Sequence, residues 1–267
     1  MLKKMEDHLG RKVGYHFPPQ RIVSICPGIT ETLYELGLEK EIVGRTRYCI
    51  FPEDKVAHAT IVGGTKDIDI EIVKSLNPDV IIAEKEENTK EMVALLARSY
   101  PVFVAEVQSI QDSYRMIEDM GNITNFESNA KNLINAIKNE FNTIPKVNGK
   151  RAAYVIWRNP YMVVGSNTYI NSVMEAMGFE NPFSTSKNRY PSVTKEELQE
   201  SQLDYIFLAT EPFHFKEKHK KEFQEFIPNV PPMIVDGEMF WYGAKMKVAA
   251  EYFRTFITKI IKRDQLF

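Results

Sequence analysis

The chain has 267 residues, a net charge of −2, 43% hydrophobic and 26% charged residues, which is enough to bury a core in one large or two smaller soluble domains. It has no long basic run, which excludes nucleic acid as a partner, and no stretch near the roughly 18 apolar residues that a transmembrane helix needs. Its two cysteines, Cys26 and Cys49, build neither a disulfide framework nor a CxxC metal site.

Residues Met1 to Gln20 carry Lys3, Lys4, Glu6, Asp7, His8, Arg11 and Lys12 and leave no apolar core for a secretory signal. As written, the chain is expected to be cytoplasmic or to have lost its leader. Arg21 to Cys26 reads as a strand, Pro27-Gly28-Ile29-Thr30 as a turn with Thr30 as N-cap, and Glu31 to Leu36 as a short helix closed by Gly37. A strand over 41–46 follows, then a loop over 47–65 that holds Pro52 and Gly63-Gly64 and has room for a short strand. Next come a helix over 68–76, a buried strand over 80–83, a helix over 89–99 and a strand over 101–105. The strand over 80–83 runs into Glu84-Lys85-Glu86-Glu87-Asn88. Carboxylates at the carboxyl end of such a strand stand where open α/β sheets hold ligands.

A helix is predicted over 109–120, broken at Gly121-Asn122, and a second over 125–144, where Leu133, Ile134, Ile137 and Phe141 make one apolar stripe. At about 20 residues this helix would span roughly 30 Å. The later elements are a strand over 151–157, a helix over 169–177 capped by Gly178, a helix over 195–200, a strand over 205–209, a helix over 216–226, a strand near 233–235 and a helix over 244–261. The expected architecture is therefore α/β: two parallel-sheet lobes over 20–107 and 147–267, joined by a helical segment over 108–146 with one long interlobe helix, and a ligand cleft between the lobes.

Arg21-Ile22-Val23-Ser24 before Pro27-Gly28-Ile29-Thr30-Glu31, then Leu36-Gly37-Leu38, Val43-Gly44 and Leu76-Asn77-Pro78-Asp79-Val80-Ile81, resemble the helical-backbone metal receptor superfamily. These are the solute-binding proteins that deliver cobalamin, ferric siderophores and haem to ABC importers. Tyr154 to Arg158, Arg189-Tyr190-Pro191 and Glu211 to Phe215 are similar to its cobalamin-binding-like branch. The resemblance covers residues 20–262 and implies a monomer that binds a small metal chelate, with no built-in cofactor and no enzymatic activity. It also implies docking to an ABC permease through one acidic residue on each lobe, which falls on Glu71 and Glu196. As residues alone, both read equally well as helix-start carboxylates that favour the macrodipole. Members serving importers are periplasmic or membrane-anchored, which the reading of the first twenty residues does not match.

A flat conjugated ligand needs aromatic walls and a few oriented polar groups. Trp157, Tyr161, Phe213, Phe215, Phe240, Trp241 and Tyr242 fall at or just past predicted strand ends, and about half are expected to face the ligand, the others to pack in the core. Arg158, Arg189, Tyr190, Glu84, Glu87, Asn88 and Glu211 are candidates to orient it. A Glu87 to Arg189 ion pair is the structural alternative. Pro27-Gly28 and Gly64-Thr65 are candidates for close backbone approach, with tight turns as the default reading. Tyr48, Cys49, His58 and His214 are the available axial ligands for iron or cobalt, but no metal-binding spacing joins them, so no metal site is assigned. A carrier or sensor of tetrapyrroles without a permease is the rival reading. A hydrolase using Glu84, Glu86 and Glu87 is third, because paired catalytic carboxylates approach a substrate from opposite sides rather than from one loop.

Overall fold

The computed structural model describes residues 1–265. The chain forms two compact units: the first takes Met1–Val107, Gln111–Lys138 and Tyr242–Lys245, the second Gln108–Ile110, Asn139–Trp241 and Met246 onward. Most of the 108–146 stretch therefore belongs to the first unit, as do the opening residues and four residues from near the end of the chain.

The first unit opens with an antiparallel hairpin of β1 (Leu2–Glu6) and β2 (Lys12–His16). It then alternates β3 (Ile22–Ser24), α1 (Pro27–Leu36), β4 (Ile42–Arg45), β5 (Thr60–Ile61), α2 (Ile70–Leu76), β6 (Val80–Glu84), α3 (Lys90–Leu96) and β7 (Val102–Ala105). The strands form a parallel sheet in the order β5-β4-β3-β6-β7. Successive connections leave β3 in one direction and return on its other side at β6, so β3 and β6 flank a topological switch point. Val23, Ile25, Ile81, Ala83, Val102 and Val104 form its core with Val73 and Val93 from the helices.

Helix α1 starts earlier than the sequence suggested. Cys26, in extended conformation, is its N-cap and Pro27 opens the first turn, where proline's fixed φ fits and its missing N–H costs nothing. Thr30 lies inside the helix, fully buried, its hydroxyl within hydrogen-bond distance of Cys26 O (2.9 Å) and Ser24 Oγ (2.7 Å). The expected break at Gly121-Asn122 also moves. Helix α4 (Ile110–Thr124) continues through both residues, and the chain reverses at Asn125, which has φ 70°. Helix α5 (Glu127–Phe141) is then fifteen residues long rather than twenty. Gly121 is needed for close packing, since a Cβ there would lie 2.6 Å from Ala130 Cβ. Within helix α5 the chain passes from the first unit to the second after Lys138.

The second unit contains β8 (Lys150–Trp157), β9 (Tyr161–Val163), α6 (Tyr169–Ala176), β10 (Phe179–Glu180), β11 (Ser192–Val193), α7 (Lys195–Glu200), β12 (Tyr205–Ala209), α8 (Glu217–Phe226), β13 (Pro232–Val235) and α9 (Lys245–Asp264). Its sheet runs β11-β9-β8-β12-β13, with β10 beside β8. Strands β8, β12 and β13 are parallel, whereas β9 turns back antiparallel on β8 and β11 on β9. The expected parallel sheet of the second lobe is present in β8, β12 and β13, and the short β9 and β11 extend it antiparallel at one edge. Strands β9, β10 and β11 are two or three residues long, too short to show alternation. Ala153, Val155, Ile206, Leu208, Phe215 and Phe223 lie in its core.

Candidate ligand-binding site

In the first unit, the carboxyl ends of β3 and β6 lie side by side at the switch point. Glu84 ends β6 with its side chain turned inward, and its carboxylate accepts from Glu86 N–H (2.7 Å), Glu87 N–H (3.0 Å) and Val107 N–H (3.2 Å). Burial, set against these three donors and helped by the nearby Glu86 charge, pushes its pKa up to about 7. Asn88 locks the loop: its Oδ1 accepts from Glu84 N–H at 2.8 Å, and its amide donates to Ile25 O (3.0 Å) and Thr65 O (2.8 Å). With both amide hydrogens held by backbone, Asn88 positions the loop and has no donor left for a ligand. Of the predicted acidic group, Glu87 remains half-buried at the loop's tip, its pKa raised by burial and then by Glu86, against the pull of Lys66.

The glycines serve turns and contacts. A Cβ at Gly28 would stand 3.0 Å from the Tyr242 ring and 3.2 Å from its carbonyl oxygen, so the space beside Gly28 belongs to Tyr242 rather than to a ligand. At Gly64 a Cβ would meet Asp67 Oδ1 at 2.2 Å and the Tyr48 ring at 3.2 Å, and Gly63 has φ 128°. Gly28 lies in the first turn of α1, whereas Gly64 lies in a tight turn beside Gly63, as the default reading has it. Thr65 is buried behind them, while Tyr48 is exposed beside Arg47, whose guanidinium is paired with Asp67 at 2.7 Å.

Sequence reasoning missed how Tyr242–Lys245 completes this unit. Tyr242 Oη and Cys26 Sγ are hydrogen-bonded at 2.9 Å, Gly243 N–H donates to Ser113 Oγ (2.9 Å) and Ala244 N–H to Thr32 Oγ1 (3.0 Å). Lys245 lies 3.3 Å from Glu31 and 3.7 Å over the Phe51 ring. Burial, followed by the Glu87 and Glu84 charges, pushes the Cys26 thiol well up, so it stays protonated and is a poor nucleophile. Cys49 is buried between the Thr30 and Thr46 hydroxyls, both 3.1 Å from its sulfur. It is thereby enclosed rather than presented as an axial ligand.

In the second unit, Trp157 ends β8 and is 40% exposed. Its ring stands edge-on to Phe213 at 5.8 Å, and Phe213 in turn contacts Phe215 (4.7 Å) and His219 (5.5 Å). Trp241 is half-buried and donates its indole N–H to Glu211. The Glu211 side chain also fills the space beside Gly237, whose N–H donates to Thr210 Oγ1 at 2.9 Å. The ends of β12 and β13 are thereby tied into one rim carrying an indole.

Several expected contacts are core instead. Phe240 is buried against Tyr154 (4.7 Å) and Phe253 (5.0 Å), Phe215 is buried, and Tyr161 is enclosed by Phe223 and Phe226. Arg158 pairs with Glu222 at 2.8 Å, and the Tyr161 hydroxyl donates to the same carboxylate. Burial would raise the Glu222 pKa, but these two hydrogen bonds hold it below the usual range. Arg189 donates to Asn167 O at 2.8 Å and lies over the Tyr190 ring, and His214 bonds Thr210 O. A cavity of about 410 Å³ is lined by Arg151, Phe183, Ser192, Glu197 and Glu200 among others, and by none of the expected ligand contacts. Glu71 and Glu196 are exposed in the first turns of α2 and α7. Glu71 pairs with Lys74 at 2.7 Å, and the Glu196 carboxyl is held below its ordinary pKa by its own backbone N–H and the Thr194 hydroxyl.

A vitamin B12-binding protein of Vibrio parahaemolyticus is 24% identical over 200 residues, covering 72% of this chain and 71% of that protein. Among solved structures, the catecholate-siderophore binding protein VctP of Vibrio cholerae superposes with a TM-score of 0.78 at 16% identity, over 97% of this chain and 100% of that one. The heme binding protein HutB of Vibrio cholerae gives 0.74 at 21% identity, over 89% and 98%. At these identities the superpositions show a shared fold. The periplasmic binding protein family model matches residues 22–232. On that match, which spans both sheets, the chain belongs to the periplasmic binding protein family.

Proposed function

We propose that this protein is a solute receptor that captures a large, flat metal chelate, whether corrinoid, haem or ferric siderophore, and presents it to an ABC importer. The observation that carries the reading is the set of indoles held at strand ends: Trp157 exposed at the end of β8, and Trp241 fixed by Glu211 beside the end of β13. Rigid aromatic surface next to a few polar groups suits a conjugated macrocycle. The relatives named for vitamin B12, heme and siderophore binding support this ligand class. In the first unit Asn88 and Glu84 shape the loop that carries Glu87.

Titrating the protein with cyanocobalamin, haemin and a ferric tris-catecholate, followed by indole fluorescence and ligand absorbance, tests the assignment. Saturable binding of one of them is expected, and Trp241→Ala should weaken it at least about tenfold, near 1.4 kcal/mol. No saturable binding of any would overturn the receptor reading, while an unchanged affinity in the variant would remove Trp241 from the site.

Docking to the permease is assigned to Glu71 and Glu196. Exposed ion pairs contribute only about 0 to 1 kcal/mol each, so these two set orientation more than affinity. The double variant Glu71→Ala with Glu196→Ala should leave chelate affinity unchanged and remove stimulation of the transporter's ATPase. A loss of chelate binding, or full stimulation, would refute the docking role.

A further inference from the structure

Asn148-Gly149 is the sole Asn-Gly pair of the chain and lies in the short connection between α5 and β8. Such a pair marks a turn, and Gly149 has φ 64°. The chain is held on both sides of it. Before it, Val147 N–H donates to Met177 O at 3.0 Å. After it, Lys150 stands 3.3 Å from Asp204 and 3.4 Å from Asp264, and Arg151 N–H donates to Asp204 at 2.8 Å. The pair itself is exposed, and among the described residues no hydrogen bond holds the Asn148 side-chain amide or the Gly149 N–H. A Cβ at Gly149 would meet nothing within 4 Å, so the space beside the glycine is open. Two comparable pairs are closed. Asn171 donates its amide to Glu175 at 2.7 Å while Ser172 N–H donates to Thr168 O at 3.2 Å. Asp236 accepts from Glu238 N–H at 3.1 Å while Gly237 N–H donates to Thr210 Oγ1 at 2.9 Å.

We infer that Asn148 is a modification site: it loses its side-chain amide spontaneously and becomes iso-aspartate. The Gly149 nitrogen gives up its proton and attacks Asn148 Cγ. That bond forms, the bond from Cγ to the side-chain nitrogen breaks, and ammonia leaves with the proton, which closes a five-membered succinimide. Water then opens the ring. Addition at the main-chain carbonyl carbon of residue 148 leaves the chain running through Cβ and Cγ, which is iso-aspartate, and addition at Cγ gives aspartate. Water is the one co-reactant, and nothing is oxidised or reduced. The attack needs a backbone nitrogen that no partner holds and a following residue without a Cβ, and this turn supplies both. Iso-aspartate lengthens the backbone by one carbon at the entry to β8, between the anchors at Val147 and Lys150, and makes the chain one charge more negative.

The test incubates the folded whole chain and a synthetic peptide of residues 146–151 side by side in warm, mildly alkaline buffer. Peptide mapping follows a gain of about 1 Da at residue 148, and methyl transfer from S-adenosylmethionine by an iso-aspartyl carboxyl methyltransferase counts the iso-aspartate. Asn148 of the folded chain is expected to convert at a rate within about tenfold of the peptide's, mainly to iso-aspartate, and at least about tenfold faster than Asn171 in the same digest. Asn148→Gln, whose longer side chain would have to close a six-membered ring, should lose both signals. Conversion more than about tenfold slower than in the peptide would overturn the inference, because the fold would then be holding the turn closed. So would aspartate without iso-aspartate, which means direct hydrolysis with no succinimide. Methyl acceptance that persists undiminished in Asn148→Gln would place the modified residue elsewhere and overturn it as well.

Discussion

Raising the pH from about 4.5 to about 7 is expected to cost the folded protein on the order of 3 kcal/mol through Glu84 alone. The sign follows from the direction of the shift. The folded state holds a proton on Glu84 up to about pH 7, whereas the unfolded chain releases it near 4.5. Within that window the native state binds more protons than the unfolded one, so unfolding becomes easier as pH rises and levels off above it. Groups held low, such as Glu222 and Glu196, act in the opposite sense, adding stability above their unfolded pKa and losing it as pH falls. The total profile therefore mixes signs, and the comparison has to be with Glu84→Gln. Urea unfolding of both proteins across pH 4 to 8 should show the wild type falling relative to the variant by about 3 kcal/mol. Parallel curves would mean that the three backbone donors keep Glu84 ionised throughout. A constant offset is also expected, because the glutamine NH2 faces N–H groups that the carboxylate accepted. It does not alter the difference in slope.

Glu84 also shows what the sequence makes legible. The run Val80 to Ala83 followed by carboxylates marks a buried strand ending at a sheet's carboxyl rim, and the structure has that strand and that rim. Which carboxylate turns inward does not follow from pattern, since a loop has no period to assign faces. Glu84 turned in and Glu87 stayed at the tip because a turn of three residues brings the Glu86 and Glu87 N–H groups back onto Glu84. Family-like fragments in the first half located β3, α1 and β6 well. They gave no hint that Tyr242–Lys245 would be the segment packed over Gly28, because contacts between residues more than two hundred positions apart leave no local trace. The aromatics of the second unit divide for a similar reason. Phe240 and Trp241 are adjacent in sequence, yet one is core and the other is hydrogen-bonded at the rim.

Asp7→Ala should destabilise the first unit by about 3 kcal/mol, within the range for removing one member of a buried ion pair. The first twenty residues read as a charged stretch with no apolar signal core, yet Asp7 is 1% exposed. Its Oδ1 accepts from Leu9 N–H (3.0 Å) and Arg11 N–H (2.9 Å), and its Oδ2 from Arg11 Nε (2.8 Å), Arg11 Nη2 (2.6 Å) and Val104 N–H (3.3 Å). The turn that it closes covers the β7 edge of the parallel sheet, where His8 N–H donates to Val104 O at 3.1 Å. The next side chain pins the same turn from the other direction: His8 Nε2 meets Asp119 of α4 at 2.8 Å, and Glu106 N–H donates to His8 Nδ1 at 2.9 Å. Alanine at position 7 strands three backbone donors and a half-exposed guanidinium, and each buried unsatisfied donor costs about 1 to 3 kcal/mol, offset where water reaches it. Asp7→Asn keeps the shape and one acceptor and is expected to lose roughly half as much. If equilibrium urea unfolding gave a loss below about 1 kcal/mol for Asp7→Ala, the hairpin would be detaching before the sheet unfolds. The turn would then be a cover on the β7 edge rather than part of the cooperative unit.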